Sequence, residues 1–226
     1  MDHQHEHCHH PDEGHSEIDL NIQLDNQALT IEVKDQDGGV PELDETHEEL
    51  MHLILISHDL EDYYHVHPIK EEDGVFKNDL DIPEGHYYAF VDINPKDKVY
   101  AVEPNELLVG EVEHFHTTRE LQPDDEWLQK VDGKEVELEE VTLTAGGPVQ
   151  LAFDLKGETP EPYLGALGHV VIVDEDVENF IHVHPASNDT TVFEAHFPHE
   201  GTYKLWAEFK FSDEGVLAFP FVLKVQ

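Results

Sequence analysis

Three histidines, His52, His65 and His67, recur as His169, His182 and His184, each displaced by 117 residues. Neutral imidazole is a borderline ligand that suits Zn²⁺, Cu²⁺ and Ni²⁺, and a three-histidine set leaves a coordination position open. A copper(I) site favours thiolate and thioether ligands. The chain offers Cys8, Met1 and Met51 for that purpose, and strand alternation turns Met51 away from the face of His52. The expected ion is therefore a divalent transition metal, with copper and zinc as the leading candidates. The competing reading is structural: a repeated His-x-His-Pro corner also forms where a proline ends a strand ladder and the imidazoles are hydrogen-bonded.

A second set lies near the N-terminus, where His3, His5, His7, Cys8, His9, His10 and His15 are mixed with acidic residues. His-rich tracts bind metal by composition alone. Residues 1–16 are expected to be a disordered His-rich tail, because beyond Met1 and Cys8 they have nothing apolar to bury. The pair His114 and His116 is a weaker candidate. His47, His58, His86, His196 and His199 read as surface or turn residues.

The spacing predicts how the clusters are built. If residues 50–57 and 62–68 pair antiparallel around a turn at His58–Glu61, partner numbers add to 119. His52 then lies opposite His67, with His65 diagonal to both on the same face. The second copy places His169 opposite His184 in the same way. Opposed Cβ atoms in such a pair are about 4.5–5.5 Å apart, within reach of one ion.

The elements that must hold these hairpins also repeat. Asp59 and Asp176, Glu61 and Glu178, Val66 and Val183, Pro68 and Pro185, and Phe76 and Phe193 share the same offset. After a one-residue gap, Gly85, Tyr87 and Phe90 fall on Gly201, Tyr203 and Trp206. Identities this dense indicate an internal duplication. Short β-branched, leucine or aromatic runs read as strands at 18–24, 29–33, 53–56, 87–93, 128–131, 136–138, 170–173, 203–211 and 216–225. Asp132-Gly133 marks a tight hairpin, and no long helical period is present. The expected fold is all-β: two tandem immunoglobulin-like or cupredoxin-like β-sandwiches. The expected boundaries are 17–113 for the first repeat, 114–126 for a linker and 127–226 for the second.

Composition limits the partners. The chain has 226 residues, with 52 Asp and Glu against 12 Lys and Arg, for a formal net charge of −40. Such a surface repels nucleic acid and anionic lipid and attracts cations. The same charge suits a protein kept soluble in high salt. Arg119 is the single arginine, so bidentate phosphate clamps are nearly absent. No apolar run approaches the roughly 20 residues of a membrane helix, so no membrane insertion is expected. The opening residues lack a positive and then apolar leader. As written, that points to the cytoplasm, and a trimmed N-terminus would point outside it. One cysteine excludes an intrachain disulfide.

Enzyme signatures are weak. His65-Val66-His67 with Glu71 resembles the His-x-His-x-x-x-Glu core of cupins, but the preceding glycine is missing and Asn188 stands at the matching place in the second copy. A cupredoxin copper site needs a cysteine beside its histidines, and Cys8 is far from them in sequence. Nucleophile-elbow, phosphate-loop and Cys-x-x-Cys motifs are absent.

Met51-His52, Asp59-Leu60 and Tyr63-Tyr64-His65-Val66-His67-Pro68, with Phe197-Pro198, Gly201 and Tyr203 in the second copy, resemble the signature of the small bacterial proteins called YtkA-like. The stretch from Tyr163 to His169 resembles the form found in two-repeat members, and the likeness covers most of residues 17–226. It implies immunoglobulin-like sandwiches and a link to copper or other heavy-metal handling in secreted or lipid-anchored proteins. The combined expectation is a non-enzymatic protein that binds divalent metal, as a buffer, chaperone or resistance factor, with any protein partner unknown. The alternative is an interaction or structural sandwich whose histidines stabilise strands and bind no metal.

Overall fold

The computed structural model describes residues 16–112, 120–183, 185 and 187–226. The tail histidines with Cys8, the pair His114 and His116, and His184 fall outside the described residues, as does the first part of the expected linker, 114–119.

In the first repeat the strands are β1 (Ile18–Asp25), β2 (Ala28–Asp35), β3 (Leu43–Asp44), β4 (His52–Ser57), β5 (Tyr63–Val66), β6 (Ile69–Glu72), β7 (Val75–Asp79), β8 (Gly85–Asp92), β9 (Asn94–Pro95) and β10 (Asn105–Val109). The second contains β11 (Leu128–Val131), β12 (Lys134–Leu138), β13 (Pro148–Asp154), β14 (His169–Asp174), β15 (Phe180–Val183), β16 (Val192–His196), β17 (Gly201–Phe211) and β18 (Gly215–Val225). The described residues contain no helix.

Each repeat is a sandwich of two four-stranded sheets. The first has β1-β2-β7-β6 against β10-β8-β4-β5, and the second has β11-β12-β13-β16 against β15-β14-β17-β18. Read in chain order, the first repeat has the A-B-E-D and G-F-C-C′ strand arrangement of an immunoglobulin-like domain. A second hallmark agrees. Tyr87 and Tyr203, near the start of the equivalent strands β8 and β17, donate their hydroxyls to the carbonyls of Pro83 (3.0 Å) and His199 (2.8 Å), four residues upstream. This is the tyrosine corner of immunoglobulin-like sandwiches. The repeats differ at one sheet edge, where β6 closes the first and β11 opens the second.

Alternation explains the cores. Along β2, Leu29, Ile31 and Val33 are buried and their neighbours are not; they join Leu53, Leu55, Phe76 and Tyr87 in the core of repeat one. The corresponding core of repeat two is larger and rich in phenylalanine, with Phe153, Phe193, Phe209 and Phe221. The Asp132-Gly133 turn forms as expected: φ is 45° and 83°, and β11 pairs with β12 across it.

β4 and β14 do not alternate, because all six residues of each are buried. Their second faces are covered by the other repeat. Ile54, Ile56, Leu60 and Phe90 pack with Val171, Val173, Val177 and Trp206 in one buried cluster. Phe90 stacks on Phe180 with ring centroids 4.6 Å apart, and Tyr63 stacks on Trp206 at 4.9 Å. Phe90 corresponds to Trp206, and Tyr63 to Phe180, so the stacks are related by an approximate twofold axis. The β8-β4 and β14-β17 sheets therefore face one another, and each buried apolar side chain there contributes about 1.5–3 kcal/mol before entropy is subtracted.

Candidate metal centre

The hairpin register is the expected one. Leu53 pairs with Val66 and Ile54 with His65, while Val170 pairs with Val183 and Val171 with His182. His52 and His169 begin the central strands, opposite Asp92 and Glu208 on the neighbouring strands. Met51 points the other way, into the core of repeat one.

His52, His65 and His67 come together, with one ring nitrogen from each lying within 4.8 Å of the others. The hydrogen bonds on the remaining nitrogens set the tautomers. His52 donates from Nε2 to the carbonyl of Thr46 at 2.9 Å. His65 donates from Nδ1 to Oε2 of Glu208 at 2.7 Å. Nδ1 of His52, which carries a lone pair in this tautomer, stands 3.1 Å from Nε2 of His65. Either a proton or a cation between these two nitrogens accounts for so short a contact. Nε2 of His67 is buried without a hydrogen-bond partner among the described residues.

Burial disfavours the proton. Desolvation pushes His52 down to about 4 and His67 down to about 3, and the neighbouring imidazoles act in the same direction. Both rings are neutral at pH 7, the state in which imidazole ligates metal. Tetrahedral ligands at about 2.0–2.1 Å from an ion lie about 3.3 Å from one another, close to the observed 3.1 Å. The donor set therefore fits a divalent transition metal.

In the second repeat the outer ring nitrogens of His169 and His182 are held in the matching way. His169 donates from Nε2 to the carbonyl of Tyr163 at 3.0 Å, and its buried Nδ1 has no hydrogen-bond partner among the described residues. His182 donates from Nδ1 to Oδ2 of Asp92 at 2.8 Å. Desolvation lowers His169 to about 4 and holds His182 well below the ordinary imidazole range.

Sequence reasoning treated the two clusters as separate, one per repeat. The structure brings His169 and His182 to the same side of the inter-repeat interface as His52, His65 and His67. His182 lies 5.5 Å from His52 and 5.7 Å from His65 between ring centroids, only slightly farther than His52 lies from His65 at 5.3 Å. The two carboxylates are exchanged between repeats: Glu208 of the second braces His65 of the first, and Asp92 of the first braces His182 of the second.

Sequence reasoning missed Asp92 and Glu208. The available signal was their shared position, after the one-residue gap, as acids inside otherwise apolar aromatic strands. His47 is a turn residue, as expected, and its ring also lies beside both sets of histidines. Its ring lies 6.1 Å from His52, 5.8 Å from His169 and 6.1 Å from His182. His47 and Glu48 both have positive φ, 51° and 68°, in the two-residue turn that also presents the Thr46 carbonyl. Leu164 and Gly165 form the matching turn in repeat two, with φ of 52° and 76°. His58, His86 and His199 belong to other parts of the surface, where His58 packs on His86 and His199 receives contact from Tyr203.

Fold and cluster together define the class: a tandem of immunoglobulin-like sandwiches with buried histidines converging between the two halves. The model of the family described as a domain of unknown function, DUF8832, matches residues 4–105 and again 129–226, and the chain belongs to that family. No curated protein matches the chain. Similar solved structures include the chicken CNTN1 FN1-FN3 domains, at 11% identity and a TM-score of 0.26 over 93% of this chain and 66% of that one. Another is a two-domain fibronectin type-III segment of chicken tenascin, at 11% identity and a TM-score of 0.26 over 91% of this chain and 97% of that one.

Proposed function

We propose that the protein is a non-enzymatic binder of divalent transition metal, copper or zinc first, serving as a buffer, chaperone or resistance factor. The observation that carries this reading is the contact between His52 Nδ1 and His65 Nε2 at 3.1 Å, with the outer nitrogens of the two rings held by the Thr46 carbonyl and by Glu208. His67 completes the set. Donors on the outer ring nitrogens and a carboxylate behind the imidazole are the usual bracing of a metal-bound histidine. Glu208 is itself buried, and a cation on the far side of His65 would offset its charge. The YtkA-like resemblance, with its link to heavy-metal handling, supports the same reading.

The alternative, that the histidines are structural, is favoured by one observation: His65 and His182 each tie one repeat to the other through a carboxylate. Metal titration separates the two. The full chain carrying His3→Gln, His5→Gln, His7→Gln, Cys8→Ser, His9→Gln, His10→Gln and His15→Gln is titrated with Zn²⁺ at pH 7.5 in high salt, which screens diffuse attraction to the acidic surface. Binding should raise the melting temperature by mass action, and His67→Ala should reduce both the bound metal and that rise. A structural role predicts no rise in the parent and lower metal-free stability in the variant.

A further inference from the structure

We infer that Glu208 of the second repeat is a positioning residue for the ion held by His52, His65 and His67 of the first, so that the ion binds tightly only while the repeats are docked and, once bound, clamps them together. The inference rests on the reading of those three histidines as metal ligands and extends it to the control of the site.

Two strands from different repeats build the contact. Tyr63 and His65 are two residues apart on β5, and Trp206 and Glu208 are two apart on β17. Side chains at that spacing share one face of their strand. Tyr63 stacks on Trp206 at 4.9 Å, with the rings 15° from parallel. One step along both strands, His65 Nδ1 meets Glu208 Oε2 at 2.7 Å. The aromatic pair therefore sets the reach of the carboxylate. The side chains of His65 and Glu208 are only 1% and 4% exposed, and His65 is the ion-pair partner of Glu208 among the described residues. A buried carboxylate deprived of its partner is strongly destabilising, so this contact is strained by any loosening of the repeats.

A carboxylate on the outer nitrogen fixes the orientation of a ligand ring and raises its basicity. Here the repeat that holds the ligands does not supply it. Asp92, the equivalent acid of the first repeat, is engaged by His182 instead. An ion on Nε2 of His65 draws electron density from the ring and so strengthens the Nδ1–H bond to Glu208. Binding and docking are linked, and the linkage is reciprocal: the factor by which docking raises affinity is the factor by which metal favours docking.

The test uses Zn²⁺ and the full chain with the substituted tail, at pH 7.5 in high salt. Competition with a chromophoric chelator measures the affinity of the folded protein. Glu208→Gln, shown to be folded by circular dichroism without metal, should weaken Zn²⁺ by about 10–100-fold, although it lies in the repeat without the ligands. A merely structural Glu208 would lower the melting temperature and leave that affinity unchanged. A second arm does not require Glu208 to be replaceable. Phe90→Ala loosens the interface at the other aromatic stack, which contains neither Glu208 nor a ligand. Both tryptophans, Trp127 and Trp206, belong to the second repeat, so tryptophan fluorescence follows the unfolding of that repeat. In Phe90→Ala, Zn²⁺ should raise the midpoint of the tryptophan transition, and adding either His67→Ala or Glu208→Gln should remove the rise. Unchanged affinity in folded Glu208→Gln, or a tryptophan transition that Zn²⁺ does not move in Phe90→Ala, would overturn the linkage and leave the three-histidine reading intact. A parent chain that binds no Zn²⁺, or that keeps it undiminished in His67→Ala, would overturn both.

Discussion

His65 and Glu208 are 143 positions apart in the chain, and their side chains meet at 2.7 Å, both almost fully buried. The reciprocal contact, His182 with Asp92 at 2.8 Å, makes the pairing an exchange. The histidine centre and the inter-repeat interface are thus one structural unit. Apolar stacking of Phe90 on Phe180 and of Tyr63 on Trp206 aligns the sheets. That alignment sets the carboxylate on each sheet against the imidazole of the other.

The interface should therefore report on both repeats together. Phe90 is fully buried in the shared cluster, and Phe90→Ala should cost about 3–5 kcal/mol. Because the cluster belongs to both halves, calorimetry of the metal-free wild type should show one cooperative transition. The variant should melt lower, and its repeats should begin to unfold separately. Separate transitions in the wild type would show that the interface is too weak to couple the halves.

Gly168 provides a local test of how His169 is positioned. A Cβ at this position would lie 2.7 Å from the Glu208 carbonyl oxygen and 2.7 Å from the Phe209 ring. The backbone oxygen cannot swing aside as a flexible side chain would. Gly168→Ala should push β14 away from β17 where His169 pairs with Glu208, costing about 1–3 kcal/mol. Metal affinity should fall more than in a variant of equal stability elsewhere in the second core, as measured by Zn²⁺ titration. Unchanged affinity would mean that the His169–Glu208 pair does not set the site. The equivalent position in repeat one is Met51, whose side chain has room in its own core.

Much of this was legible in the sequence. The duplication, the β class and the hairpin register followed from spacing, because alternation fixes which residues share a face and a one-residue slip would expose the apolar set. Met51 and His52 on opposite faces followed from the same rule. Edge strands were harder to read: β6 (Ile69–Glu72) is exposed along its whole length, so it has no apolar period to detect. The meeting of the two clusters was not read, yet a trace of it was present. Leu53–Ile56 and Val170–Val173 are continuous apolar runs, and such runs mark strands covered on both faces. Which surface supplies the second cover depends on packing between distant segments, and no local pattern specifies it. The nearness of the His47 ring to the clusters was not read for a related reason. The turn position was correct, but the direction of the ring depends on a positive φ that residue type does not announce.

The tyrosine corner should contribute measurably to the second repeat. The Tyr203 hydroxyl is held by the His199 carbonyl at 2.8 Å, and the ring is buried. Tyr203→Phe keeps the ring and removes the hydroxyl, so about 0.5–1.5 kcal/mol should be lost. Urea denaturation should show this as a lower midpoint with an unchanged slope, and metal stoichiometry should be unaffected. A change in stoichiometry would show that the corner reaches the metal centre.

Acid should act differently on the buried histidines and on those of the N-terminal segment. His52 and His169 are lowered by burial to about 4, against about 6.5 for an unperturbed imidazole. The unfolded chain therefore takes up these protons first as pH falls. The stability these rings contribute is present above about pH 6.5 and is lost as pH falls through about 4. Urea melts of the metal-free protein should show a decline across that window, and it should shrink in His52→Asn, which removes one of the groups responsible. Metal binding to the folded chain should follow the lower value. Ions held by the buried rings should remain bound from pH 7.5 to about 5, where protons do not yet compete, whereas ions on unperturbed histidines should leave as pH falls through about 6.5. Comparing Zn²⁺ retention in the wild type and in the chain with the substituted tail, at pH 7.5 and at about pH 5.5, separates the two populations. Loss of all Zn²⁺ from both proteins at the lower pH would place every bound ion on ordinary, solvated imidazoles and would remove the buried centre as the binding site.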